Sequence, residues 1–138
     1  MPRARVLELV GVYDADGSLW GEVRYVIAKV RGTAHCSLCD TTHSGWRRRS
    51  SWDQMVARLG VPMRLVHLDE RDEETSRVSG ATTPCVLARV LAASSAGVPD
   101  LVVLMGPQHL DQVAGDPAAF ERLLRDRVSS IGAVLDPV

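Results

Sequence analysis

Stretches of strand-like and helix-like patterning alternate along the chain. Val6 to Tyr13 is apolar and rich in β-branched residues, which predicts a buried strand, and it stops at the turn signal Asp14-Ala15-Asp16-Gly17. Ser18 can then cap a helix. Within it Leu19, Trp20, Val23, Val26, Ile27 and Val30 recur at helical spacing, and Gly32 is a natural stop. Residues 33–49 are short of apolar side chains and read as a loop with room for one helical turn. Ser51 and Gln54 have the capping-box spacing. Trp52, Met55, Val56 and Leu59 give the helix that follows an apolar face, and Gly60 and Pro62 close it.

The second half reads in the same way. Met63 to Leu68 is a compact apolar run and predicts a strand, whereas 69–82 is charged, then Ser/Gly/Thr-rich, and reads as an exposed connection with room for a helical turn. Pro84 opens a strand over Cys85 to Leu91. Residues 93–97 turn the chain back, and Leu101 to Met105 is short-linked to that strand, so the two should pair antiparallel. Asp116-Pro117 is an N-cap followed by proline at the first helical position. Phe120, Leu123, Leu124, Val128 and Ile131 then line one face of a last helix. The order β, α, loop, α, β, β, β, α predicts one α/β domain over residues 1–138, with a mixed sheet of about four strands flanked by helices.

Composition narrows the function classes. A hydrophobic fraction of 46% and a charged fraction of 24% are ordinary for a globular chain, and a formal net charge of −1 provides no field for nucleic acid or an anionic membrane. Lys29 is the sole lysine among many arginines, which, with abundant Ala and Val, suggests a GC-rich bacterial genome. No signal-peptide core follows the first residues and no apolar run approaches a membrane span, so a cytoplasmic location is expected. Cysteines are normally reduced there, and a close pair is then catalytic or metal-binding more often than structural. P-loop, dinucleotide-fingerprint and nucleophile-elbow motifs are all missing.

The chemistry concentrates in His35-Cys36-Ser37-Leu38-Cys39-Asp40. Two thiols separated by two residues at a helix start can face one point, and the helix N-terminus favours the thiolate that is both nucleophile and metal ligand. As a redox pair, Cys36 attacks a disulfide of a small-molecule or protein substrate and Cys39 resolves the mixed disulfide, with no cofactor required. As a metal site, Cys36, Cys39 and His43 offer three ligands on one loop. Cys85 or His35 can then complete a tetrahedral set for zinc or copper(I). Both thiols can also be small buried hydrophobes and nothing more. Asp40 is expected to raise the pKa of the thiol beside it.

This order, with a Cys-x-x-Cys ahead of a helix and Thr82-Thr83-Pro84 opening a later strand before a hairpin and a C-terminal helix, resembles the thioredoxin-like superfamily. The resemblance implies that Cys36 is the exposed nucleophile, Cys39 the resolving thiol and Pro84 a cis-proline with Thr83 facing the pair. It also implies that Cys85 brings a third thiol nearby. The helix at 18–30 departs from that family, in which the strand leads into the motif directly. The chain is similar as well to small uncharacterised bacterial proteins with a Cys-x-Leu-Cys centre.

The remaining candidates have plainer readings. Cys85 is by default a buried strand residue, and His67 a satisfied strand-end histidine. His109 lies in a loop without an evident partner. Arg47-Arg48-Arg49, between Trp46 and Trp52, reads as a solvated segment, or as the surface by which an adaptor meets a protein partner. The acidic run 69–74 lacks the alternation and glycine of a calcium loop. Oligomeric state is not legible in the sequence.

Overall fold

The computed structural model describes residues 4–14, 37–44, 47–48, 50–93 and 97–135, and within 37–48 it describes the side chains of Leu38, Thr41 and Thr42. The helix expected over 18–30 lies outside the described residues.

The apolar run near the N-terminus forms the central strand β1 (Ala4–Val12). It pairs antiparallel along its length with β5 (Cys85–Leu91), from Arg5 opposite Leu91 to Val12 opposite Cys85. Its other edge is shared by two parallel strands, β4 (Met63–Val66) beside Leu9–Val12 and β7 (Ala133–Leu135) beside Ala4–Val6. β6 (Asp100–Met105) pairs antiparallel with the outer edge of β5, as the short connection requires. The result is an open, mixed sheet in the order β4-β1-β5-β6, with β7 beside β1. Helices flank it as an α/β sandwich, a thioredoxin-like architecture in outline.

Five helices and a 3-10 turn complete the described chain: α1 (Ser37–Thr42), α2 (Ser50–Leu59), the 3-10 turn at Leu68–Glu70, α3 (Glu73–Ser79), α4 (Pro107–Val113) and α5 (Pro117–Ser130). A two-residue ribbon, β2 (His43–Ser44) with β3 (Arg47–Arg48), joins α1 to α2.

Strand alternation sorts the core into two layers. Leu9, Tyr13, Val86 and Ala88 face one side, where Leu38 of α1, Trp52 and Met55 of α2, Leu110 of α4 and Phe120 and Leu124 of α5 cover them. Val10, Val12, Cys85 and Leu87 face the other side, with Leu101, Val66, Leu68 and Val78. A β-bulge at Leu7, one extra residue between the Val6 and Glu8 pairings, turns Val6 to the many-helix side despite its even number. A similar irregularity in β6 places Leu104 there too.

Asp116 caps α5 as the sequence predicts, its carboxylate accepting from the Ala118 N–H at 3.0 Å. α5 ends at Ser130, however, so Ile131 is a capping residue, 39% exposed, and does not extend the buried stripe. The segment 69–82 is more ordered than a connection. Asp72 caps α3 by accepting from the Thr75 N–H at 2.7 Å, and Gly80 ends it at a φ of 52°. Its buried positions are Thr75 and Ser79, residue types that give no apolar periodicity to read. Arg71 fastens the segment by donating to the carbonyls of Leu68 and Gly80 and to the Ser79 hydroxyl.

Candidate functional site

The motif helix α1 has little that would make it stand alone: six residues, with one apolar side chain. Tertiary contacts hold it instead. Leu38 is fully buried and lies over Gly11 of β1, where a Cβ would come within 3.2 Å of its Cδ2 and 2.8 Å of a Leu65 methyl. A side chain at position 11 would therefore press on the side-chain ends of Leu38, Leu65 and Met63, through which α1 and β4 pack on β1. At the other end of the helix, Thr42 is fully buried and its hydroxyl is 2.9 Å from the buried Tyr13 hydroxyl.

The same end of β1 receives the start of β5. The Thr83–Pro84 peptide is cis and Pro84 is buried. The Thr83 hydroxyl donates to the Asp14 carboxylate at 2.9 Å, spanning 69 residues of sequence. β4 arrives alongside, with the Tyr13 N–H donating to the Val66 carbonyl at 2.9 Å, and its next residue is His67. The His67 ring lies 5.0 Å from that of Tyr13, and its Nδ1 is 2.7 Å from Glu70. The same Glu70 oxygen accepts the His67 backbone N–H at 2.7 Å. These bonds, the backbone one first, hold the Glu70 carboxyl below the usual carboxylate range. Tyr13, Asp14, Thr42, His67, Glu70 and Thr83 thus gather at the carboxyl ends of the parallel pair β1 and β4, the end of an open α/β sheet where ligands bind.

The sequence candidates fall in different places. Cys39 lies in α1, His43 opens the ribbon with Arg48 opposite it, and Cys36 immediately precedes α1, outside the described residues. Thr83 and Pro84 reach the end of β1 at which α1 is anchored. Cys85 does not join them. It is a free thiol, 0% exposed, in the layer opposite Leu38, and burial pushes its pKa up to about 11. Among the described residues, no group of three or more His, Cys, Asp or Glu is placed to hold a metal ion, and no helix is long and apolar enough to cross a membrane.

Sequence reasoning missed part of this cluster. Tyr13 reads as the last residue of a strand, Asp14 as a turn residue and His67 as a strand-end histidine. β1 ends one residue before Tyr13 and β4 one before His67, and the pairing of β1 with β4 that joins them is not written in either segment. His109, read as a loop residue, lies in α4, where its Nδ1 accepts the Gly106 N–H at 3.0 Å. Comparison with known proteins adds no relative: no family model, curated protein or solved structure matches the chain.

Proposed function

We propose that this chain is a thiol–disulfide oxidoreductase or redox sensor, with Cys36 and Cys39 as its dithiol in a thioredoxin-like frame. One observation supports this reading above the others. The helix that carries Cys39 and the Thr83–Pro84 entry to β5 are both fastened to residues 11–14 at the end of β1, through Gly11 and Tyr13 for the helix and Asp14 for Thr83. A dithiol needs a surface against which an extended disulfide substrate can lie, and Thr83 and Pro84 are the residues that would supply it. In the reaction the Cys36 thiolate attacks one sulfur of the substrate and expels the other as a thiolate. Cys39 then attacks the Cys36 sulfur and releases the second half. The protein dithiol is oxidised to a disulfide as the substrate disulfide is reduced to two thiols, and a cellular dithiol reductant restores the pair. A cytoplasmic setting, where thiols are kept reduced, fits this cycle.

Cys85 has no part in the proposal, because its thiol is buried, protonated at neutral pH and on the opposite side of the sheet. The test is disulfide-reductase turnover by protein purified without oxygen, chelator or affinity nickel. Cys36→Ser is expected to abolish turnover and Cys85→Ser to leave it nearly intact. A metal-to-protein ratio near one that is lost in Cys36→Ser would overturn the redox reading. Function that survives removal of both thiols but not of Arg47 to Arg49 would instead identify an adaptor.

A further inference from the structure

We infer that residues 68–80 form an acid-released strap, which leaves its face of the sheet while the rest of the chain stays folded and so uncovers the Cys85 thiol. The inference stands apart from the dithiol reading. Among the described residues, the strap brings two apolar side chains to the layer of Val10, Val12, Cys85 and Leu87. These are Leu68 and Val78, both partly buried. The fully covered positions of α3 are Thr75 and Ser79, and the Ser79 hydroxyl donates to the Thr75 carbonyl at 2.6 Å. A buried bond of this kind satisfies its partners but contributes little net stability. Cys85 is 0% exposed within this layer.

Three carboxylates at alternate positions fasten the strap. Glu70 accepts the His67 N–H and meets the His67 ring, both at 2.7 Å. Asp72 caps α3 through the Thr75 N–H, also at 2.7 Å. Glu74 receives the Arg89 guanidinium of β5 in two hydrogen bonds, at 2.7 and 3.3 Å. Arg71 bonds within the segment, to Leu68, Ser79 and Gly80, and would travel with it. The other charges that face these groups come from each neighbouring element. β4 supplies Arg64 and β1 supplies Glu8, which lies between Arg64 and Arg89. Arg77 comes from α3 itself and Asp69 from the 3-10 turn, while β6, which α3 also crosses, carries Asp100.

All three carboxyls are held below their ordinary range, Glu70 and Asp72 chiefly by a backbone N–H and Glu74 by Arg89. The folded chain therefore binds these protons less tightly than the unfolded one. What they contribute to the strap is complete above the ordinary carboxylate range and is lost as pH falls through the lowered values. The side chains of Glu70 and Glu74 are 51% and 37% exposed, so a proton reaches them without prior opening. On the opposite face Trp52, Phe120 and Leu124 are buried by apolar contact, which protonation does not weaken. Acid thus acts first on the face whose cover is held by charge.

In the full chain carrying Cys36→Ser and Cys39→Ser, Cys85 is the one remaining thiol. A pyridyl disulfide, which labels thiols even in acid, reads its exposure from neutral pH downward. Rates are taken relative to a free thiol, and denaturant unfolding gives the global stability at each pH. Protection of Cys85 is expected to fall roughly tenfold in acid beyond any loss of global stability, the size of one lost cap. Asp72→Ala and Glu74→Gln should each speed labelling at neutral pH and flatten its pH dependence. Glu121→Gln, which removes the pairs with Arg58 and Arg125 on the opposite face, should leave labelling unchanged. Hydrogen exchange in the wild-type chain makes the same test without touching a thiol. The Ser76 and Gly80 amides, bonded within the strap, should lose protection in acid before the amides of α5. Labelling that tracks global unfolding at every pH, or that Glu121→Gln speeds as much as Glu74→Gln, overturns the separate strap. Protection that does not change in acid overturns the role of the carboxylates.

Discussion

On one side of the sheet, Leu9, Val86 and Ala88 lie beneath four helices, and the fully buried rings of Trp52 and Phe120 meet with centroids 4.9 Å apart. On the other side, Val10, Val12, Cys85 and Leu87 lie beneath a two-turn helix and a 3-10 turn, and Val103 at the edge is 37% exposed. The thin layer compensates with polar bonds. Arg89 reaches Glu8 at 3.2 Å and Glu74 at 2.7 Å, tying β5 to β1 and α3, and Arg71 closes the covering segment on itself. Apolar volume carries the stability of the first layer, whereas geometry specific to each hydrogen bond keeps the second in place. The motif helix belongs to the first layer and depends on it, because Leu38 is its one large anchor.

The sharpest way to break this contrast is a pair of truncations. Phe120→Ala should lower the unfolding free energy by about 3–5 kcal/mol, against about 1 kcal/mol or less for Val78→Ala in the thin layer, both read from denaturant unfolding. Equal costs would mean that the second layer packs as tightly as the first.

Alkaline pH probes the thin layer through Cys85. Its thiol has a pKa of about 11 in the folded chain against an ordinary 9.0, so the folded state binds the proton more tightly. The stability it contributes is complete below about pH 9 and is lost as pH rises through 11, a fall of about 3 kcal/mol at most. Cys85→Ala should flatten that part of the stability–pH curve, and an unchanged slope would show that the site admits water.

Gly11→Ala tests the seat of the motif helix. The added methyl meets the far ends of Leu65, Met63 and Leu38, which can yield a little, so the cost should be about 1–2 kcal/mol. Faster hydrogen exchange in residues 38–42 is expected with it. A loss of stability without that change would separate α1 from the packing at Gly11.

Smallest is the cap of α3. Asp72→Ala should cost about 1 kcal/mol at neutral pH. The Thr75 N–H holds the Asp72 carboxyl below its ordinary range, so its contribution is present above that range and lost as pH falls through the lowered value. Wild type and variant should therefore converge in acid. A difference that persists there would place the effect in the helix interior rather than at the cap.

How much of this was legible varies with the physics of each segment. α2 and α5 show in the sequence because a stripe of large apolar residues recurs at 3.6, and the N-cap and proline of α5 are local devices. α3 does not, because its buried positions are a threonine and a serine whose burial is made tolerable by bonds to the backbone and to Arg71. α4 and β7 are short, and their apolar residues count only once α5 has brought them to the sheet. For the site, the motif cysteines, Thr83 and Pro84 stand out in sequence, but Tyr13, His67 and Glu70 do not.

The sequence alone determined the α/β class, the antiparallel hairpin of β5 and β6, the start of α5 and the segment that carries the thiols, because periodicity, caps and turn lengths act over a few residues. Tertiary structure decided the rest: which strands border β1, on which side Cys85 faces, and that His67 lies against Tyr13. Those choices depend on strand register and on contacts between residues tens of positions apart. A one-residue shift would turn each side chain to the opposite face without altering a single local preference.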